Sequence, residues 1–183
     1  MRRRPAIFFD RDGVLNPDSG YPHRPEDAIL FPDVADALRR VQQLGYMIVV
    51  VSNQSGVGRG LFSEAEALQF NALLAAQLRL CGVHLAMDQF YICPHTPDEK
   101  CDCRKPKPGL LLRAVSELNI DLTQSFAVGD HESDIEAAYA AGVRAVLLNR
   151  DGRRFDVRPD YVVSSLTLLA DLVERLVAKN PIK

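Results

Sequence analysis

The sequence lacks any apolar run that approaches the ~18 residues needed to span a membrane. Its basic start, residues 1–5, is followed by only a short apolar run, 6–9, before Asp10. That run is too short to be the hydrophobic region of a signal peptide or an anchor. We therefore expect a protein without membrane contact that works in the cytoplasm.

The sequence also has little net charge. Its 22 basic and 24 acidic residues leave a formal charge of −2, and the sequence pI is about 6.1. Such a chain has no general electrostatic attraction for nucleic acid or for an anionic membrane. There is no internal repeat and no low-complexity tract. The length fits a single domain over residues 1–183, and we expect a monomer.

Short apolar runs alternate with longer amphipathic segments along the chain. The predicted strands are 5–9, 47–51, 89–92, 125–128, 145–148 and a weaker one at 160–163. The predicted helices are 34–44, 63–80, 108–118, 135–141 and 166–177. This alternation predicts an α/β fold in which one doubly wound, mostly parallel sheet forms a single domain. Ligands of such sheets bind at the carboxyl ends of the strands.

Local signals mark helix starts and loops. Asp33 is placed to cap the first helix, and Ser63 with Glu66 forms a capping-box pattern for the second. The segment 16–32 is rich in proline and glycine, which predicts a loop or flap beside Asp10. The segment 55–60 is rich in glycine and is also predicted to be a loop.

Carboxylates cluster where the first and fourth predicted strands end. Asp10 and Asp12 follow the first strand, and because side chains alternate in extended backbone, both can point into the same space. Asp130 and Asp134 follow the fourth strand in a Gly-Asp-x-x-x-Asp pattern. Acids this close repel each other unless a cation lies between them, and Mg²⁺ prefers carboxylates, waters and phosphate oxygens. The pattern predicts a magnesium site.

Two acids beside a magnesium site suit phosphoryl transfer. One of the first pair would attack phosphorus, and its neighbour two residues on would transfer a proton. A simpler interpretation of the first pair is an Asp-rich turn at a strand end. For Asp130, or for Ser133, the simpler interpretation is a helix cap.

Hydrogen-bond donors and cations that suit phosphate occur at other predicted strand ends. Ser52 and Asn53 supply hydroxyl, amide and backbone N–H groups, and Lys105 supplies a positive charge. Arg59 and Arg104 are candidates for a second anionic group or for sugar hydroxyls. Taken alone, each of these residues could also be a strand cap or a solvated surface cation.

Three of the four cysteines lie close together in sequence. Cys93, His95, Cys101 and Cys103 follow a C-x-H-x5-C-x-C spacing, which is typical of a closed tetrahedral Zn²⁺ site. Such a zinc would pin the loop that leads to Arg104 and Lys105. The alternative is a loop with reduced surface thiols. The fourth cysteine, Cys81, is predicted to be a buried small hydrophobe.

These motifs together resemble the haloacid dehalogenase superfamily of Asp-dependent phosphotransferases. The matching elements, in order, are Asp10-Arg11-Asp12-Gly13, the strand ending at Ser52, Lys105, and Asp130 with Asp134. The zinc loop and the segments 52–56 and 101–106 resemble the zinc-containing D-glycero-D-manno-heptose 1,7-bisphosphate phosphatases. The resemblance covers about residues 6–150 and implies a Rossmann-like three-layer core with loops, but no large cap, over the site.

The resemblance also implies a reaction. Asp10 would form an aspartyl-phosphate and Asp12 would be the general acid and base. Mg²⁺ would bind Asp10, the backbone carbonyl of Asp12, and Asp130, with Asp134 as a further candidate. Groups that would contact the substrate are Ser52 and Lys105 at the phosphoryl group, and Asn53, Arg59 and Arg104 nearer the sugar phosphate.

Two departures keep the substrate open. His131 stands where this family often has lysine, and only five residues separate His95 from Cys101, as in histidinol-phosphate phosphatases. The segments 55–60 and 107–109 resemble the heptose enzymes instead. The leading interpretation is removal of the 7-phosphate from the heptose bisphosphate, and the alternative is a histidinol-phosphate phosphatase. A mutase and a zinc-stapled binding module are further alternatives.

Overall fold

The computed structural model describes residues 3–182, so residues 1, 2 and 183 of the predicted domain lie outside it. Its strands are β1 (Ala6–Phe9), β2 (Met47–Asn53), β3 (Phe90–Cys93), β4 (Phe126–Gly129), β5 (Arg144–Leu148) and β6 (Tyr161–Val163). Its α-helices are α1 (Val34–Gln43), α2 (Ser55–Gly58), α3 (Glu64–Leu80), α4 (Gly109–Leu118), α5 (Glu132–Ala141) and α6 (Leu166–Lys179). The strands form one parallel sheet in the order β3-β2-β1-β4-β5-β6. The predicted α/β class is confirmed.

Successive residues of β1 point to opposite faces of the sheet. Ile7 and Phe9 pack into a core that includes α1 and α6, whereas Ala6 and Phe8 pack into one that includes α4 and α5. Both faces are therefore covered, which explains why the predicted strands are continuous apolar runs without alternation. The result is the three-layer arrangement implied by the family resemblance.

The winding of the sheet changes direction between β1 and β4. The chain proceeds from β1 to β2 and β3 on one side, and from β4 to β5 and β6 on the other. Loops that leave such a switch point in opposite directions open a crevice at the carboxyl edge of the sheet. Asp10 follows β1 and Asp130 follows β4, so the topology brings both acids to this crevice.

The glycine-rich segment predicted as a loop instead contains the single helical turn α2, so that prediction was wrong. Gly56 lies against the ring of Phe62, and Gly58 lies against the backbone oxygen of Pro94, where a Cβ atom would overlap either neighbour. The Gly58 N–H donates to that oxygen at 2.8 Å. These glycines allow the backbone of α2 to lie directly against neighbouring segments. Sequence periodicity cannot distinguish glycines with this packing role from glycines that form a loop.

The two predicted helix caps had different outcomes. The Ser63 hydroxyl accepts from the Glu66 N–H, and the Glu66 carboxylate accepts from the Ser63 N–H, so the capping box is confirmed. Asp33 precedes α1, but its carboxylate does not cap that helix. It instead accepts from the Arg150 guanidinium and from the N–H of Leu166, the first residue of α6. Asp33 therefore connects segments that only the tertiary structure brings together.

Loops, and no inserted domain, lie over the carboxyl edge of the sheet within residues 3–182. The predicted flap, 16–32, contributes Asp18, Gly20 and Tyr21 to the wall of a cavity there. Cys81 follows α3 and is exposed, so its prediction as a buried hydrophobe was wrong. Across the described part of the chain, every helix is too short or too polar to traverse a bilayer.

Candidate active site

A cavity of about 370 Å³ lies at the carboxyl edge of the sheet. The predicted site residues that line it are Asp10, Asp12, Ser52, Asn53, Arg104, Lys105 and Asp134. Asp130 lies beside it, because its carboxylate oxygen is within 4.8 Å of those of Asp10 and Asp134. The fold thus gathers side chains from the carboxyl ends of β1, β2 and β4 and from the loop after β3.

Lys105 is the buried cation of this cavity. Its Nζ atom lies 2.8 Å from Asp10 Oδ1 and 2.5 Å from Asp134 Oδ1, and it donates to the backbone oxygen of Val51 at 2.9 Å. Burial opposes its charge, but the two carboxylates outweigh burial and hold the pKa of Lys105 above its usual value. Lys105 is therefore a permanent positive charge beside Asp10.

The backbone of Lys105 is fixed by the side chain of Asn53. The Asn53 amide nitrogen donates to the Lys105 oxygen at 3.1 Å, and its amide oxygen accepts from the Lys105 N–H at 3.0 Å. Both polar groups of Asn53 therefore contact protein backbone. Lys105 reaches Asp10 from a loop that Asn53 holds against the end of β2.

Two carboxylic acids of the site, Asp10 and Asp130, have raised pKa values. Burial, with help from Asp134 and Asp12, raises the pKa of Asp10 to about 7, although Lys105 opposes the shift. Burial is also the main reason that the pKa of Asp130 is raised. The site therefore concentrates negative charge where little water solvates it, and a cation would relieve that charge.

The surroundings of Asp130 fit a metal ion. Its Oδ1 atom is buried and has no hydrogen-bond partner among the described residues. Gly13 has a φ of +81°, and a Cβ atom there would overlap the Asp130 carboxylate. Glycine thus lets the turn after β1 pass directly over this acid. Together with Asp10 and Asp134, Asp130 offers the hard oxygen ligands that Mg²⁺ prefers.

Asp134 has two contacts that sequence motifs do not show. Its Oδ1 atom pairs with Lys105, and its Oδ2 atom accepts from the His131 N–H at 3.1 Å near the start of α5. His131 lines the cavity, is 54% exposed, and holds its Nε2 atom 3.9 Å from Asp130 Oδ2. Asp130 and Ser133, which the alternative interpretation made helix caps, do not cap α5; Asp134 accepts there instead.

Sequence reasoning missed the side chains that surround Asp12. Arg11 is fully buried and forms an ion pair with Asp12, and Gln54 donates to Asp12 Oδ2 at 2.8 Å. Gln54 also donates to Ser52 Oγ at 2.8 Å. Arg11 lies between two motif acids and directly after an apolar strand, which could have indicated a buried arginine. Since a buried arginine needs several hydrogen-bond acceptors, contacts with Asp12 and with other polar side chains could have been expected. Gln54 lies 42 residues from Asp12 in sequence, and no local pattern indicates this contact.

The two arginines proposed for a second anionic group lie in different places. Arg104 lines the cavity, and its Nη1 atom donates to the backbone oxygen of His95 at 3.3 Å. Arg59 is exposed and is not among the described residues that line the cavity. The structure thus brings Arg104, but not Arg59, into the cavity that Asp10, Asp12 and Asp134 line.

The predicted zinc ligands converge. The sulfur atoms of Cys93, Cys101 and Cys103 are 3.2 to 3.6 Å apart, and His95 Nδ1 lies 3.5 and 3.2 Å from Cys93 and Cys103. Tetrahedral Zn–S bonds of about 2.3 Å would separate two sulfurs by about 3.8 Å. The cluster is therefore close to the size of a four-coordinate zinc site and could hold that ion.

The fold and this site are those of a haloacid dehalogenase-like hydrolase. Residues 102–169 match the family model described as HAD-hydrolase-like. The chain is 41% identical to D-glycero-beta-D-manno-heptose-1,7-bisphosphate 7-phosphatase of Yersinia pestis, with 96% of each chain covered. It is 43% identical to the Haemophilus influenzae enzyme of that name, covering 93% of this chain and 97% of the relative. The chain belongs to this phosphatase family.

A solved structure agrees with this assignment. The crystal structure of D,D-heptose 1,7-bisphosphate phosphatase from B. bronchiseptica, complexed with magnesium and phosphate, superposes with a TM-score of 0.78 at 32% identity. The match covers 96% of this chain and 99% of that one. The likeness therefore extends over nearly the whole chain.

Proposed function

We propose that this chain is a Mg²⁺-dependent phosphatase that removes the 7-phosphate of D-glycero-D-manno-heptose 1,7-bisphosphate through an aspartyl-phosphate on Asp10. The observation that carries the proposal is the meeting of Asp10, Asp12 and Lys105 in one cavity at the switch point of the sheet. Relatives named for this reaction match nearly the whole chain.

The proposed reaction has two halves. In the first, a carboxylate oxygen of Asp10 attacks phosphorus, the bond from phosphorus to the sugar oxygen breaks, and protonated Asp12 gives its proton to that oxygen. In the second, a water oxygen attacks the same phosphorus and gives a proton to Asp12. The bond from phosphorus to Asp10 breaks, which releases inorganic phosphate and restores the enzyme.

Ser52 and Lys105 are the proposed holders of the phosphoryl group. Ser52 is buried and its Oγ atom accepts a hydrogen bond from Gln54, which leaves the hydroxyl proton free to be donated to a phosphate oxygen. Lys105 supplies a fixed charge beside the attacking Asp10. Fixed donors and charge aimed at the transferred group stabilise its transition state. We assign Asn53 the role of positioning Lys105, through its two hydrogen bonds to the Lys105 backbone.

Asp10, Asp130 and the backbone carbonyl of Asp12 are the proposed Mg²⁺ ligands. The partnerless Oδ1 of Asp130 supports this assignment. Asp134 is a further candidate, although its Oδ1 atom is already paired with Lys105. When bound, Mg²⁺ would offset the negative charge of the acids and of the phosphate oxygens. Cys93, His95, Cys101 and Cys103 would hold a structural Zn²⁺ that fixes the loop leading to Lys105.

Of the two candidate substrates, we propose the heptose bisphosphate and not histidinol phosphate. The curated relatives at about 40% identity carry the heptose name, whereas only the short spacing of the zinc loop favours histidinol phosphate. Arg104 is the better candidate to contact the second phosphate, because it lines the cavity and Arg59 does not.

We also propose a single-domain monomer that acts in the cytoplasm. One sheet with a helical layer on each face runs through the described residues, as expected of one domain. A zinc site built from three thiolates suits a compartment that keeps cysteines reduced. Light scattering coupled to size exclusion measures the oligomeric state directly, and a dimer would contradict this part of the proposal.

The test is phosphate release from heptose 1,7-bisphosphate and histidinol phosphate, each with and without Mg²⁺. We expect a clear preference in kcat/KM for the bisphosphate, dependence on Mg²⁺, and no turnover by Asp10→Asn, with its fold and zinc content intact. A preference for histidinol phosphate would overturn the substrate assignment. Normal turnover by Asp10→Asn would overturn the mechanism.

A further inference from the structure

A second cavity, of about 450 Å³, lies at the amino edge of the sheet, at the opposite end of the strands from the candidate active site. Residues at or just before the starts of three strands line it, together with the end of α6: Tyr46, Gln124, Arg144, Leu176, Val177 and Asn180. Among the described residues, none lines both this cavity and the one that contains Asp10. We refer to it as the amino-edge cavity.

Arg144 is the single charged group among the described residues that line the amino-edge cavity. Its guanidinium carbon lies 4.0 Å from the centre of the Phe126 ring, which is fully buried. Its Nε atom is buried and has no hydrogen-bond partner among the described residues. A buried donor of a charged group is destabilising unless an acceptor satisfies it. Arg144 therefore lacks an acceptor that a ligand in this cavity would supply.

Tyr46 adds a hydrogen-bond donor beside Arg144. Tyr46 is 4% exposed, and burial raises the pKa of its hydroxyl, although Arg144 opposes the shift. The hydroxyl is therefore protonated at neutral pH and can donate to an anion. The Tyr46 ring lies 6.1 Å from the ring of Phe126, so the cation and the hydroxyl belong to side chains that pack against the same buried residue.

The charge balance of the amino-edge cavity favours a monoanion. Asn180 directly follows α6, and the last carbonyl groups of a helix carry partial negative charge. One guanidinium beside this helix end balances a single negative charge, and a dianion such as a phosphate monoester would exceed that balance. A carboxylate also matches the paired N–H donors of a guanidinium. Leu176, Val177 and Pro181 supply apolar surface for the rest of the ligand.

We propose that the amino-edge cavity binds a small organic carboxylate. The carboxylate group contacts Arg144 and Tyr46, and the apolar part of the ligand lies against Leu176, Val177 and Pro181. The cavity volume lies within the range of small-molecule sites, roughly 300–1,000 Å³. The site contains none of the acids of the candidate active site, so the inference does not depend on the proposed function.

Benzoate is the probe, because it joins one carboxylate to an apolar ring. We expect its titration into isotope-labelled protein at constant ionic strength to shift the NMR amide signals of Tyr46, Gln124 and Arg144 until the shifts saturate. Benzyl alcohol has the ring without the charge and should leave these signals unchanged. Inorganic phosphate should also leave them unchanged and shift signals of the catalytic cavity, such as that of Ser52, instead.

Arg144→Met removes the guanidinium and keeps an unbranched side chain. We expect benzoate affinity at this site to fall about tenfold, because a charge-assisted pair is lost. Arg79→Met is the matched control, since it removes the same charge from an exposed position on α3 outside the cavity, and it should leave the affinity unchanged. Val177→Trp fills the cavity without removing Arg144 and should also weaken binding. It tests the inference if Arg144→Met does not fold.

Equal benzoate affinity in the wild type and in Arg144→Met, or shifts that do not saturate, would overturn the inference. Equal shifts with benzyl alcohol would identify an apolar pocket, and larger shifts with phosphate would identify a phosphate site. Either result would overturn the assignment to a carboxylate. Turnover by Asp10→Asn tests the phosphatase reaction separately, so the two proposals can fail independently.

Discussion

The side chain of Asn53 forms two hydrogen bonds with the backbone of Lys105, which is 52 residues away in sequence. Asn53 ends β2, and Lys105 follows the cysteine-rich loop. This pair of bonds is what places the Lys105 ammonium between Asp10 and Asp134. The two bonds therefore hold a lysine from a loop at a fixed place in the wall of the cavity.

Replacing Asn53 should therefore act through Lys105. We expect Asn53→Ala to lower kcat/KM about tenfold, because loss of these bonds loosens the loop that carries the ammonium. Steady-state phosphate release measures this effect. Gln42 holds the backbone of His84 through the same pair of bonds, and neither residue lines the cavity that contains Lys105. Gln42→Ala is therefore the matched control, and an equal loss in both variants would contradict the prediction.

Removal of the Lys105 charge should affect stability as well as turnover. Lys105→Met leaves Asp10 and Asp134 buried without their cation, so we expect a loss of about 3–5 kcal/mol in the free energy of unfolding and loss of activity. Denaturant unfolding in metal-free buffer measures the first effect. Lys107 is half-exposed and pairs with Asp102, so Lys107→Met should change stability by less than about 1 kcal/mol.

Asp33 should make the stability of the fold depend on pH. Burial opposes the shift, but hydrogen bonds from Arg150 and Leu166 hold the pKa of Asp33 below its usual value. Because the pKa of Asp33 is lower in the folded state, its ionised carboxylate stabilises the fold. This stabilisation is fully present above the pKa of Asp33 in the unfolded chain, and it is lost as the pH falls through the pKa in the folded state. Its contribution should be full at neutral pH and diminish in acid.

Asp33→Ala measures that contribution. We expect a loss of about 1–3 kcal/mol in the free energy of unfolding at pH 7, because a partly buried guanidinium and the first N–H of α6 lose their acceptor. The difference from the wild type should shrink near pH 3. Asp36→Ala, which removes an exposed acid on α1, is the control. A difference that is the same at both pH values would refute the assignment.

Loss of one zinc ligand should disorder the loop before Lys105. We expect Cys101→Ser to lower the bound zinc, measured by elemental analysis, and to reduce the melting temperature, because the loop loses its cross-link. Cys81→Ser changes an exposed cysteine outside the cluster, so its zinc content should stay at that of the wild type. Equal zinc content in both variants would exclude Cys101 as a ligand.

The sequence by itself determined the elements and the chemistry carried within short segments. Apolar runs bounded by polar residues gave the six strands, since a strand covered on both faces must be apolar throughout. The acids after β1 and β4 and the spacing from Cys93 to Cys103 were visible because each motif lies within about a dozen residues. The parallel sheet then implied that these strand ends would meet.

Only the tertiary structure decided which distant side chains complete the site. Hydrogen-bond partners such as Gln54 for Asp12, Asn53 for Lys105, and Arg150 for Asp33 lie tens of residues apart, and neither periodicity nor spacing encodes such pairs. The sequence also did not determine which of Arg59 and Arg104 lines the cavity, because no local pattern distinguishes an arginine in a cavity wall from one on the surface. Sequence patterns report what each segment does locally, whereas burial and partner choice depend on how the packed layers bring segments together.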